Sequence, residues 1–380
     1  ATILGSGTLL PNEHRHSPAH WVEAGDARIL LDCGAGTVHG FDRWRIPWKR
    51  ITHLAISHFH TDHVGDVAAL LFALHPAQTE AVTYISGRSG SLMASFYLGA
   101  LLAYLRGAQW TSVLLFVCAL ATKETAITLP AALLLADRSF NRKQLAHWGV
   151  LLAALAVLLL HERYFQLLTF GFSRREFFDN LPTQVGGVSY LVLRLLGLRG
   201  ANIDPALPVL DEWSPGLLFQ AVLFLLLFIL GAMNLRRRPW IGFGLLWFFL
   251  QLAPTNSLVP RLDVANDRQL YLACWGLFLA ASVQVAVAAP PRRFAATAVL
   301  LLLLAGASVL RQWDYRSEIA LWEADAAKAP WNARARNNLG YAYQQAGRFE
   351  DARREYQAAL ALDPGHAKAR FNLMTIGASR

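Results

Sequence analysis

Six consecutive residues, His58-Phe59-His60-Thr61-Asp62-His63, carry four side chains of the types that bind divalent metals. They follow the apolar run 53–56, which reads as a β-strand, so the cluster leaves a strand end. Two imidazoles two residues apart can grip one metal from one side of a loop, and Asp62 and His63 can reach a second. Zinc accepts His nitrogen and carboxylate oxygen readily. Two such metals about 3.5–4 Å apart can activate a bridging water for hydrolysis. A second candidate is Lys123-Glu124, which interrupts the apolar runs 110–122 and 125–136. At membrane depth such a pair is expensive and marks function. As the loop between two short helices it simply stands in water, and both readings are open. A third is the polar turn Pro254-Thr255-Asn256-Ser257, followed by Arg261, Asp263, Asn266, Asp267, Arg268 and Tyr271.

The elements that must position these residues fall into three textures. Residues 1–76 alternate β-rich runs (2–4, 28–31, 53–56) with Gly-rich turns, and read as a soluble α/β segment. Residues 77–313 are dominated by long apolar runs, and residues 314–380 turn polar, Ala-rich and helical. Hydrophobic residues make up 54% of the 380-residue chain and charged ones 16%, against roughly 25% charged in a soluble domain. The net charge of +9 is spread between apolar segments rather than held in one run, which argues for a membrane protein and against a nucleic-acid partner. Cys33, Cys118 and Cys274 are far apart, so no disulfide framework or cysteine zinc site follows.

Residues 216–235 carry no charge over twenty positions, the ~20 residues needed to cross a lipid core. Residues 269–289 and 294–310 read as further spans, 240–253 as a shorter one, and 91–105, 110–122, 125–136 and 147–160 as short candidates. Arg236, Arg237, Arg238, Arg292, Arg293, Arg138, Arg142 and Lys143 sit in loops that should be cytoplasmic. Residues 162–215, 254–268 and everything after Leu310 then lie outside. That topology makes the chain a multi-pass membrane protein with an extracytoplasmic tail.

In that tail, Leu339, Gly340 and Tyr343 fall on one helix, Gly347 in a turn, Ala352, Tyr356 and Ala359 on a second helix, and Pro364 ends it. This is the 34-residue tetratricopeptide pattern. Steps of the same length reach Pro330, Trp322 and Leu373, so one full repeat is flanked by two partial ones. Tyr343 and Tyr356 fill the space between hairpins and are the candidate protein-binding residues. The array looks cut off at Arg380.

Residues 69–380 resemble the transmembrane and tetratricopeptide repeat-containing proteins and their bacterial relatives. The resemblance rests on His75-Pro76-Ala77-Gln78-Thr79-Glu80-Ala81-Val82 with Ser86-Gly87-Arg88, on Lys123 to Pro130, and on Pro254 to Leu272. It implies a C-type glycosyltransferase fold using a polyprenyl-phosphate sugar donor outside the cytoplasm. By match, Lys123 and Arg268 would contact the donor phosphate. The family's first span and acidic outer loop should precede residue 69, where a different protein stands. Residues 1–76 resemble the start of a metallo-β-lactamase-fold hydrolase of the ribonuclease Z-like branch. The match lies in Gly5-Ser6-Gly7-Thr8, in Leu30-Leu31-Asp32-Cys33-Gly34-Ala35-Gly36-Thr37 and in the His/Asp cluster. By that match His58 and His60 serve a first zinc and Asp62 and His63 a second, while Asp32 orients the loop. The later ligands of that family have no counterpart, because His147 and His161 flank an apolar run and His366 lies in the repeats.

The expected fold is therefore mainly α: a polytopic membrane domain (77–313), tetratricopeptide hairpins (314–380) and a truncated α/β segment (1–76). The join falls in Ala69-Leu70-Leu71-Phe72-Ala73-Leu74-His75-Pro76, a stretch that suits both families. Three functions follow: a glycosyltransferase-like protein lacking its acidic loop, a zinc hydrolase acting on phosphodiesters, or a non-catalytic scaffold that binds proteins through its repeats.

Overall fold

A computed structural model of the chain describes residues 2–5, 19–24, 27–31, 45, 53–55, 61–162, 165–166, 169, 177–256, 261, 263–287 and 291–378. It divides into two compact units. The first comprises Ala1–His75, Gly231–Leu245 and Cys274–Gly306, the second Pro76–Leu230, Leu246–Ala273 and Ala307–Arg380.

In the first unit, β1 (Thr2–Gly5), β2 (Ala19–Ala24), β3 (Ala27–Leu31) and β4 (His53–Ala55) form a sheet in that order. The first two pairings are antiparallel and the last is parallel. Trp21 stands opposite Leu30 and both are buried with Ala19, which defines the covered face. Strand β2 was not foreseen, because Ala-His-Trp-Val-Glu-Ala is short and mixes polar with apolar residues. Helix α1 (Thr61–Leu74) follows. Asp62 and His63 fall in its first turn, whereas His58 and His60 lie outside the described residues.

The second unit begins with α2 (Thr79–Thr83) and α3 (Arg88–Leu105), which packs along α4 (Gln109–Thr122). Ser112 Oγ donates to the Ala100 carbonyl at 2.8 Å and meets His147 Nε2 at 2.8 Å, tying α4 to α3 and to α6 (Leu145–Leu160). The run 125–136 does not form one helix. Lys123 is extended, Glu124–Thr128 is a 3-10 turn, and α5 (Leu129–Asp137) starts afresh with Pro130 in its first turn. Proline fits there because the first helical N–H groups have no internal partner.

Helix α7 (Phe177–Leu195) lies within the stretch 162–215, where the sequence shows no helical signal. Asn180, Thr183, Gln184 and Arg194 interrupt its hydropathy, yet all four are buried. Helix α8 (Pro215–Arg237) covers the uncharged twenty-residue run, and α9 (Pro239–Leu252), α10 (Leu270–Val287) and α11 (Pro291–Asp314) follow it. Among the described residues, three helical stretches are long and apolar enough to cross a membrane: Arg142–Leu160, Pro215–Arg237 and Ala296–Asp314. Leu218, Phe219, Val222 and Leu226 of α8 are exposed, as suits a lipid-facing surface. Within the first unit, a Cβ on Gly244 would lie 2.6 Å from the Gly276 carbonyl oxygen, so glycine lets α9 and α10 touch backbone to backbone.

Four helices end the chain: α12 (Glu318–Lys328), α13 (Ala333–Gln345), α14 (Phe349–Leu362) and α15 (Ala367–Ala378). Their core is Ala326, Ala335, Leu339, Tyr343, Ala352, Tyr356 and Ile376. Tyr356 lies against Gly340, where a Cβ would meet its ring at 2.8 Å.

Candidate functional site

The site is built where α4 stops. Lys123 leaves that helix extended, and its ammonium enters a cavity of about 40 Å³ that Arg268 also lines, with Gly90, Thr125, Gln251 and Tyr271 around them. A Cβ on Gly90 would sit 3.7 Å from Lys123 Nζ, in ordinary contact, so Gly90 lies directly beside the ammonium. Burial holds the Lys123 ammonium below the ordinary lysine range; Glu124 and Glu80 act against that shift, while Arg268 and Arg261 deepen it. Two cations that repel each other across a small cavity fit an anion, whose arrival relieves both.

Arg268 comes from the short 3-10 turn Asp267–Gln269, which follows the extended residue Asn266. Its Nε lies 3.7 Å from Glu80 Oε1 and one terminal nitrogen 3.8 Å from Asp263 Oδ2. Glu80 is buried on α2, with the guanidinium and backbone of Arg268 beside its carboxylate. Burial raises its carboxyl to about 8, Asp267 adds to the rise, and Arg268 and Arg311 oppose it. A neutral, buried acid therefore backs the half-buried guanidinium. Gly87 lets the Ser86-Gly87-Arg88 segment pass close behind, since a Cβ there would fall 2.5 Å from the Glu80 carbonyl oxygen.

Behind this layer, Asp267 Oδ2 accepts from Arg194 Nε at 3.1 Å and from a terminal Arg194 nitrogen at 2.8 Å. Arg311, at the end of α11, donates to Asp314 Oδ2 at 2.7 Å and to the Tyr315 hydroxyl at 3.1 Å. Lys328 reaches the same Asp314 oxygen at 3.0 Å. Charges from α2, α7, α11 and α12 thus surround one turn.

The structure brings Lys123 and Arg268 together although they stand far apart in the sequence. It places Tyr343 and Tyr356 inside the repeats: the Tyr343 hydroxyl donates to Glu323 at 2.6 Å, and the Tyr356 hydroxyl to Gln344 at 2.7 Å. Both rings are buried, so they fill the repeat core and offer little surface to a partner. Sequence reasoning missed Glu80, Arg194 and Arg311. Glu80 stood in a quoted motif without a role, and Arg194 lay within the outer stretch 162–215. Among the described residues no group of three or more His, Cys, Asp or Glu could hold a metal. The imidazole and carboxylate donors of the 58–63 cluster fit zinc by type.

Comparison with known proteins follows the same division. Residues 14–85 match the family model of the metallo-beta-lactamase superfamily, and residues 333–366 that of the tetratricopeptide repeat. Ribonuclease Z of Bradyrhizobium diazoefficiens is 36% identical over 91 residues, covering 24% of this chain and 30% of the relative. Ribonuclease Z of Treponema denticola is 36% identical over 87 residues, covering 23% and 28%. Protein O-mannosyl-transferase F38B6.6 of Caenorhabditis elegans is 24% identical over 336 residues, covering 84% of this chain and 48% of the relative. The chain thus spans less than half the length of each of these relatives. No solved structure matches it.

Proposed function

We propose that residues 77–380 form a membrane-embedded unit of the protein O-glycosyltransferase type that binds a polyprenyl-phosphate sugar donor, joined to a zinc-hydrolase fragment at residues 69–76. The observation that carries this reading is the convergence of Lys123 and Arg268 on one cavity. A cation pair there neutralises the donor phosphate and stabilises it as the leaving group once the bond to the sugar breaks. Similarity to the O-mannosyl-transferase over most of the chain supports it. The shares of this chain matched by the ribonuclease Z and the O-mannosyl-transferase, 24% and 84%, exceed the whole, so the two matches overlap, in keeping with a join inside a shared stretch.

Transfer also requires a carboxylate to take the acceptor hydroxyl's proton. The family resemblance puts that group in an outer loop whose place is held here by hydrolase-like sequence, and Glu80 is too buried to serve. Polyprenyl phosphate should bind the purified chain in detergent, with Lys123→Ala and Arg268→Ala each weakening it by about 10–100-fold, the size of a lost charged hydrogen bond. Affinity unchanged in both variants would overturn this assignment.

The tetratricopeptide tail lies outside the cytoplasm in this reading, because an odd number of spans separates it from Arg236, Arg237 and Arg238. In a cysteine-free background, a single cysteine at Gln345 should react with an impermeant thiol reagent in intact cells, and one at Arg237 should not. The opposite pattern inverts the topology.

A second reading has its own observation, the metallo-beta-lactamase match over residues 14–85. In it His58, His60, Asp62 and His63 hold zinc, which would activate water against a phosphodiester. Two ligands per metal fall short of the three usual at catalytic zinc, so this reading predicts weak zinc binding, measurable as metal content. A third, non-catalytic reading gives the repeats protein partners and nothing more; absence of both zinc and donor binding would leave it standing.

A further inference from the structure

Arg268 lines a second, larger cavity of about 180 Å³ in the same compact unit. Its walls carry Tyr84 and Trp322, the carboxylates of Asp204 and Asp263, and the guanidinium of Arg334. Trp322 and Arg334 belong to α12 and α13, the helices of the tetratricopeptide tail. We infer that this cavity receives the sugar of the lipid-linked donor, an uncharged hexose, and that the first tetratricopeptide hairpin reads it. The inference rests on the donor-phosphate reading above and adds where the sugar lies and which residues select it.

Four features carry it. The first is position, for Arg268 belongs to both cavities, so a group bonded to a phosphate held by Lys123 and Arg268 lies next to the larger one. The second is size, since 180 Å³ is about six waters' worth of space, enough for one monosaccharide but tight for a folded peptide loop. Chemistry is the third. Carboxylates accept from hydroxyls and guanidinium groups donate to them, while two aromatic rings offer flat apolar surface to the C–H face of a pyranose. Two carboxylates, Asp204 and Asp263, stand against two guanidinium groups, Arg268 and Arg334, with Arg334 bonded to both at 2.6 and 2.8 Å. A wall so balanced favours a neutral ring over a uronic acid or an amino sugar.

Preorganisation is the fourth. Ala206, in the wall, has φ +43°, a left-handed conformation that a residue with a side chain adopts at a cost. Bonds from the repeats hold the segment in place. Asp325 Oδ1 accepts the Ile203 and Asp204 amides at 2.9 and 3.1 Å, and the Asn332 side-chain amide donates to the Asp204 carbonyl at 2.8 Å. A wall fixed before binding wastes less affinity on ordering.

The test measures dissociation constants of the full chain in detergent for polyprenyl phosphate and for the same lipid phosphate carrying mannose or glucose. The wild type should bind at least one sugar-bearing lipid about tenfold more tightly than the bare one. Trp322→Ala should erase that difference while leaving bare polyprenyl phosphate within about twofold, which also shows that the variant is folded. Trp322→Phe, which keeps a ring, should retain most of the preference, and Lys123→Ala should weaken all the lipids together. Equal affinity of the wild type for bare and sugar-bearing lipids overturns the inference while leaving the phosphate site standing. A preference that survives in Trp322→Ala does the same, and places the sugar, or an acceptor, elsewhere. No binding of any lipid removes both the inference and the donor reading.

Discussion

Replacing Asp267 by Ala should cost on the order of 3–5 kcal/mol of stability, the penalty for stranding a buried charge by removing its partner. Asp267 and Arg194 are 1% and 3% exposed, and one carboxylate oxygen receives two guanidinium N–H groups. Without Asp267 the buried guanidinium loses its carboxylate and, among the described residues, keeps a 3.3 Å contact to the Arg199 carbonyl. A loss of that size is about a fifth or more of the stability of an ordinary domain. The expected result is a sharply lower thermal midpoint in detergent and poor recovery of folded protein. Asp267→Asn keeps an acceptor oxygen and should lose less. The pair Arg194→Met and Asp267→Leu removes both charges and should restore much of the midpoint, since buried ion pairs often yield to apolar pairs of similar volume. Equal midpoints for wild type and Asp267→Ala would show that Arg194 finds another partner.

The stability of the same region should fall as pH rises from about 5 to 8. Glu80 titrates near 4.5 when unfolded and is pushed up to about 8 in the folded chain, by burial first and Asp267 second. Between those values the folded state holds a proton that the unfolded state has released, so each rise in pH favours unfolding. The full contribution of the neutral acid is present below the unfolded value and is lost as pH climbs through the folded one. The slope approaches about 1.4 kcal/mol per pH unit for one such group. Glu80→Gln keeps the shape without the titration and should flatten the midpoint-against-pH curve over that range. Asp325, which burial raises to about 7, adds a similar term from the repeats, and Asp325→Asn separates it. A slope that survives in Glu80→Gln but not in Asp325→Asn would assign the whole effect to the repeats.

Much of this architecture was legible where a single physical signal ruled. The uncharged run 216–235 became α8 nearly residue for residue, because nothing but length and hydropathy decides a lipid-facing helix. The repeat pattern put Gly340 and Tyr356 on successive helices, and the structure packs the Tyr356 ring where a Cβ on Gly340 would stand. Helix α7 escaped notice for the opposite reason. Its polar side chains point inward, so its hydropathy resembles a loop while its partners lie in distant segments, as Arg194 shows with Asp267. The same holds for the site. Lys123 and Arg268 each carried a signal, but their meeting and the burial of Glu80 arise only from tertiary packing. Tyr343 and Tyr356 are buried in the core of the repeats.

The clamp on the 203–204 segment also sets an order of events during synthesis. Ile203 bonds Asp325, which lies 122 residues further along the chain, and Asp204 bonds Asn332 across 128. At about 5–20 residues per second, a ribosome needs roughly 6–25 s to cover that interval. Through that time the 203–204 amides must satisfy themselves with water, Asp204 has no Arg334 to pair with, and Ala206 has no clamp to keep it left-handed. The cavity wall is therefore among the last parts of the protein to set, and a nascent chain stalled before Asp325 would carry its membrane helices without it.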